Sequence, residues 1–181
     1  MGQRHHHYEA AFEAWLREAR LPYVMVDEQR RALAPDRSLK SLDFIVSHPS
    51  AGNLLVDVKG RQFPGSHKPG GTKWANWTPE ADLGDIHQWE QLFGSQFRGL
   101  FVFAYEVREP ASYPELTPYF RWRDRYYAFY GIWVDDYCRH ERLRSPSWET
   151  VHLPAAIYRE LRFPLHELTD TTSSPAERVS A

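Results

Sequence analysis

At 181 residues, with 42% hydrophobic and 15% aromatic side chains, the chain is large enough to bury one substantial core and too rich in core-forming residues to stay disordered. Its formal net charge of −2 excludes a protein that coats nucleic acid through a broad basic surface, but not one that gathers acids at a local site. The single cysteine, Cys138, excludes an intramolecular disulfide framework and a clustered-cysteine zinc site, and no apolar run approaches the ~20 residues of a membrane helix, so a soluble, cytoplasmic protein is expected.

One domain is predicted over residues 1–168. From residue 169 Ser, Thr, Pro and Ala replace the aromatics, so 169–181 reads as a frayed tail. His5, His6 and His7 read as a purification tag or a polar lead into the first helix, and enter no proposed site. Over residues 8–19 the apolar positions Tyr8, Phe12, Trp15, Leu16 and Ala19 recur at helical spacing, and Pro22 closes the segment. A short strand at 23–26, an irregular polar stretch at 27–40, and strands at 42–47 and 54–59 follow. Pro49, Ser50, Gly52 and Asn53 lie between the last two, so they should pair as an antiparallel hairpin.

Residues 60–77, rich in Gly, Pro and Lys, read as a mobile loop. Thr78 followed by Pro79 predicts a capped helix start, and that helix should run to about Phe93. The almost wholly apolar run 100–107 fits a central strand reached by a helical crossover. After prolines 110, 114 and 118, strands at 119–122 and 126–134 flank the turn Arg123, Asp124 and Arg125. A short helix at 135–143, a strand at 149–153 and a helix at 154–161 are predicted next.

Chemistry concentrates in two of these strands. Asp43 interrupts Leu42 and Phe44-Ile45-Val46, and Asp57 and Lys59 bracket Val58. Charges in apolar strands are costly unless they are paired or bind a metal. Strand alternation puts Asp57, Lys59 and Leu55 on one face, and hairpin pairing can bring Asp43 beside them. Two carboxylates and an ammonium on one sheet face suit phosphodiester hydrolysis. The acids and the Val58 carbonyl would hold a hard divalent cation such as Mg²⁺, with Mn²⁺ as a substitute, while Lys59 orients water or stabilises charge at phosphorus. The plain alternative is a solvent-facing strand edge with ordinary surface charges.

Asp43, a thirteen-residue gap and then Asp57-Val58-Lys59 resembles the PD-(D/E)xK nuclease motif, with Leu42 where the motif's name has proline. The order helix, strand, acid strand, D-x-K strand, helix, apolar strand over residues 8–107 is most similar to the Holliday-junction-resolvase-like group. The resemblance implies an α/β, restriction-endonuclease-like core: a central mixed sheet flanked by helices, here with an aromatic-rich C-terminal hairpin and helix extension. It implies a metal-dependent endonuclease acting on DNA, a homodimer of the kind that relatives form to place two active sites on a duplex, and a glutamate on the first helix. Helical geometry favours Glu9 for that role, with Glu13 second and a solvated helix charge as the alternative. A polar residue of the later helix often faces the site in such nucleases. Gln88 is the candidate, with Gln91 near it.

Arg61, Lys68 and Lys73 are placed to meet phosphates, and Trp74 and Trp77 to stack on exposed bases or to pack back on the core. Arg121, Arg123 and Arg125 form an arginine-rich turn that either grips a partner or is solvated. A catalytically inactive module binding nucleic acid or protein on the same fold is the rival to the enzyme. Cys138 and His140 match no nucleophile and base pair.

Overall fold

The computed structural model describes residues 3–26, 32–34, 37–39, 42–66 and 73–170. Helix α1 (Gln3–Glu18) precedes strands β1 (Tyr23–Met25), β2 (Ala32–Ala34), β3 (Arg37–Leu39), β4 (Phe44–His48) and β5 (Gly52–Phe63). Next come β6 (Thr78–Pro79), α2 (Glu80–Phe93), β7 (Phe97–Val107), β8 (Phe120–Trp122) and β9 (Arg125–Trp133). Helix α3 (Val134–His140), β10 (Arg142–Ser145), β11 (Thr150–His152), α4 (Ala155–Leu161), β12 (Phe163–Pro164) and α5 (His166–Asp170) complete the described chain.

The turn-rich residues after His48 close the expected hairpin: β4 and β5 pair antiparallel, with Phe44 opposite Val56 and His48 opposite Gly52. Gly52 has a φ of 78°, a left-handed conformation that glycine takes without steric cost. Strand β5 then runs parallel to β7 along its whole length, from Asn53 opposite Phe97 to Phe63 opposite Val107. Parallel neighbours need a long crossover, and α2 supplies it. The main sheet is mixed, in the order β1, β4, β5, β7, β9, β12 with β8 on β9, and β10, β11 and β6 form a second small sheet.

Alternation along β5 and β7 divides the interior into two layers. Val56, Val58 and Val102 face α1, where Tyr8, Phe12 and Leu16 cover them. Leu55, Phe101, Phe103 and Tyr105 face the other way, against Leu83 and Ile86 of α2, Tyr137 of α3 and Tyr158 of α4. Each such side chain contributes roughly 1.5–3 kcal/mol relative to exposure, so both helical layers are tied to the central pair of strands. Gly60 lets α1 close on the sheet next to Lys59, because a Cβ there would lie 2.1 Å from the Tyr8 ring.

The aromatic C-terminal half also fastens the segment leading into α2. Tyr105 donates its hydroxyl to the Ala75 carbonyl at 3.0 Å, and Tyr137 donates to that of Asn76 at 2.8 Å. Asn76 itself bonds the Leu153 backbone through both its amide nitrogen and its oxygen, each at 3.1 Å. These buried polar groups are satisfied by one another, which fixes residues 75–77 against the core.

Several predicted boundaries need correction. Helix α1 begins at Gln3, and His7 is part of the fold, its Nδ1 lying 2.9 Å from the Tyr127 hydroxyl. The D-x-K strand, β5, continues to Phe63 because β7 offers a ladder that far, so residues 60–63 are strand rather than loop. Thr78 does not cap α2: it pairs with Val151 of β11, and its hydroxyl turns to Asp82. Arg125 belongs to β9, not to the turn before it. Helix α3 stops at His140, and exposed residues predicted as its last turn form the edge strand β10. Within the expected irregular stretch 27–40, β2 and β3 pair antiparallel, and β12 and α5 were not anticipated. Residues 171–181 of the expected tail lie outside the described residues.

Candidate active site

Asp57 and Lys59 fall on the α2 face of β5, as alternation requires, and are only 5% and 6% exposed. Asp43 immediately precedes β4, and continuing the register from Phe44 and Val56 sets it opposite Asp57. Its backbone N–H donates to the Val56 carbonyl at 3.0 Å, and its carbonyl accepts the Val26 N–H at 2.9 Å. Its carboxylate takes the next ladder position, with Oδ2 accepting the Val58 N–H at 2.6 Å. The acid is thus locked between β1 and β5 at the point where regular pairing stops.

Lys59 is held from two sides. Its Nζ donates to Asp57 Oδ2 at 2.7 Å and to Asp82 Oδ2 of α2, and lies 5.3 Å from the centre of the Phe101 ring. Thr78 adds a hydroxyl bond to the same Asp82 oxygen at 3.4 Å. Asp82 is 4% exposed and is the residue that sequence reasoning missed. A signal existed: Asp82 lies with Leu83 and Ile86 on the buried stripe of α2, where an unpaired acid is costly. Asp82 is the α2 residue that pairs with Lys59, and Gln88 is about 120° around the helix from it at 100° per residue. Gln91, on the same helix, is exposed.

The Asp43 carboxyl is raised well above the ordinary carboxylate range, first by burial and then by the negative charge of Asp57. The Val58 N–H and the Lys59 charge oppose the rise, while Glu9 adds to it. Glu9 of α1 therefore lies within electrostatic reach of Asp43. Glu13 does not serve there: it binds Arg17 at 2.6 Å and the Tyr23 hydroxyl at 2.7 Å.

The remaining expected contacts divide. Arg61 is turned inward, donating to the carbonyls of Gly60 and Trp77 and lying 4.0 Å over the Trp77 ring. Trp74 packs edge-on against Phe63, Tyr105 and Tyr130, the core-packing outcome, and Arg162 covers it at 3.5 Å. Lys73 is exposed and 3.5 Å from Glu115, and Lys68 lies outside the described residues. Near the β8–β9 turn, Arg125 pairs with Glu106 at 3.1 Å, and Arg123 and Arg121 lie over Trp122 and Tyr126. Burial raises the Cys138 thiol to about 11, which suits an inert side chain.

Among the described residues, the trio whose ligand atoms all lie within 4.8 Å of one another is His87, Glu90 and Asp135. It stands apart from the strand acids, since Glu90 is two turns of α2 beyond Asp82. Glu90 is already engaged there, accepting the Gly99 N–H at 2.6 Å and lying 2.8 Å from His87 Nδ1. The strand acids are oriented differently, Asp43 onto the Val58 N–H and Asp57 onto Lys59.

No protein-family model and no curated protein sequence matches this chain. The fold does have a solved counterpart. The Holliday junction resolvase Hjc of the archaeal hyperthermophile Archaeoglobus fulgidus superposes over 90% of this chain and 98% of its own, with a TM-score of 0.53 and 12% identity. The chain therefore shares the restriction-endonuclease-like α/β fold of that resolvase, a central mixed sheet flanked by helices.

Proposed function

We propose that the chain is a divalent-metal-dependent endonuclease that hydrolyses phosphodiester bonds of DNA. One observation carries the reading: Asp57 and Asp82 both pair with the Lys59 ammonium, Asp43 lies opposite Asp57 within electrostatic reach of it and of Glu9, and the three aspartates and the lysine are at most 8% exposed. Carboxylates gathered in a buried site are costly, and a hard cation taking oxygen ligands is a counter-charge these donors suit. Asp43 and Asp57 would hold Mg²⁺ or Mn²⁺, with the Val58 carbonyl between them and Glu9 at the edge. When bound, the ion neutralises phosphate and acidifies a coordinated water. Lys59, held by Asp57 and Asp82, presents its side chain where negative charge grows at phosphorus. The fold shared with a Holliday junction resolvase supports DNA as the substrate.

The test is incubation of the purified protein with single-stranded, duplex and branched DNA and with RNA, in Mg²⁺, Mn²⁺ or EDTA. Metal-dependent cleavage of at least one DNA is expected. If no metal supports cleavage of any of them, the chain is a binding module on a nuclease fold. Light scattering, with and without DNA, checks whether two copies act together.

Asp82 should act as a positioning residue through Lys59. Asp82→Asn is expected to lower kcat about 10- to 100-fold with KM little changed, as the loss of an outer-shell partner does. It should also cost about 1–3 kcal/mol of stability, because the buried ammonium loses one of its two anionic partners. A stability loss with unchanged kcat would reduce Asp82 to a structural role.

A further inference from the structure

A cavity of about 990 Å³ opens beside residues 75–77, between the segment leading into α2 and the C-terminal elements. Lys73, Arg144, Arg159 and Arg162 line it together with Trp74 and Trp77, and among the described residues no carboxylate does. For a chain with a formal charge of −2, four cations around one hollow are a marked concentration. No carboxylate of the described residues pairs with Arg144, Arg159 or Arg162, although Lys73 has Glu115 at 3.5 Å. His152, which also lines the hollow, has its Nδ1 buried without a hydrogen-bond partner.

The tryptophans orient these cations. The Arg162 guanidinium lies 3.5 Å over Trp74, and Arg144 and Arg61 lie 5.0 and 4.0 Å over Trp77. A guanidinium laid on a ring keeps its N–H edge free for bidentate contact with phosphate. The rings already carry cations, so they are platforms for arginine rather than for bases. The hollow is therefore suited to a sugar-phosphate backbone irrespective of sequence. It is also next to the proposed centre, because Trp77 continues into Thr78, whose hydroxyl meets the Asp82 that holds Lys59.

We propose that this hollow binds the phosphates of an unpaired nucleic-acid strand and leads that strand to or from Lys59. A concave, cation-lined pocket admits a flexible single strand, whereas a duplex presents its phosphates on a stiff convex surface. The proposal rests on the phosphodiester reading above and narrows it to substrates with a single-stranded tail or branch.

Fluorescence anisotropy in EDTA tests it on the full-length protein, with labelled oligothymidylate, oligouridylate, a blunt duplex and the same duplex carrying a single-stranded tail. The Arg144→Gln/Arg159→Gln variant should bind oligothymidylate and the tailed duplex about tenfold more weakly, and its salt slope on single strands should fall by about 0.7 per cation removed. Blunt-duplex binding should stay within about twofold. Arg159→Glu guards against misfolding, because Arg159 is exposed and stacks on no ring, and its loss should be at least as large. Unchanged single-strand binding, or equal losses on tailed and blunt duplex, would overturn the proposal. The readout is independent of catalysis: a protein that binds tails but cuts nothing sinks only the nuclease reading. One that cuts while both variants bind normally sinks only this one.

Discussion

Asp57→Asn is expected to cut metal-dependent cleavage by about a thousandfold, since the several kcal/mol contributed by a bound cation correspond to that factor. The amide keeps the size of the carboxylate and can still accept from Lys59, which also retains Asp82, so the fold should survive. Calorimetry with Mg²⁺ or Mn²⁺ should lose its binding heat in the same variant. Lys59→Met separates the two roles. It removes the ammonium but leaves the four acids, so metal binding should persist, or tighten, while cleavage falls by a comparable factor. If Asp57→Asn cleaves normally, or if Lys59→Met loses metal and cleavage together, the division of labour between acid and amine is wrong.

The elements that position this chemistry were legible because each had a local cause. Apolar spacing marked α1, the turn residues after His48 marked the β4–β5 hairpin, and the unbroken apolar run marked β7. Asp57 and Lys59 stood out as charges inside a strand, and alternation alone placed them on one face. Asp82 was not found, because its role depends on how α2 lies across β5, and an aspartate beside Glu80 in a first helical turn reads equally well as favourable to the helix dipole. Thr78 shows the same limit: its sequence context is that of a cap, yet pairing with Val151 took its backbone into a strand. The reach of β5 beyond Lys59 and the small strands β6, β10 and β12 were hidden for a related reason, being stabilised by partners distant in sequence. The cation-lined hollow joins residues 73–77 to residues 144–162, a proximity that no spacing rule contains.

Asp43 provides the second large effect, through pH. Its carboxyl is raised well above its ordinary range in the fold, so between the unfolded value of about 3.9 and the elevated one the native state binds more protons than the unfolded state. The stability contributed by this group is thus fully present below the unfolded value and is lost as pH rises through the folded one. Without metal, the wild type should become less stable across that window, and Asp43→Asn should flatten the decline and melt higher than the wild type at pH 8. The asparagine oxygen can still accept the Val58 N–H, so the ladder position stays filled. A divalent cation binds the ionised acid, so the rise in Tm on adding Mg²⁺ should grow with pH in the wild type and be largely missing in the variant. For a chain of this length each 1 kcal/mol corresponds to roughly 2–4 °C, within reach of thermal scans from pH 5 to 9. An Asp43→Asn protein less stable than the wild type at every pH, with its Mg²⁺ response intact, would mean that the buried acid is balanced by the protein itself and that no cation is needed there.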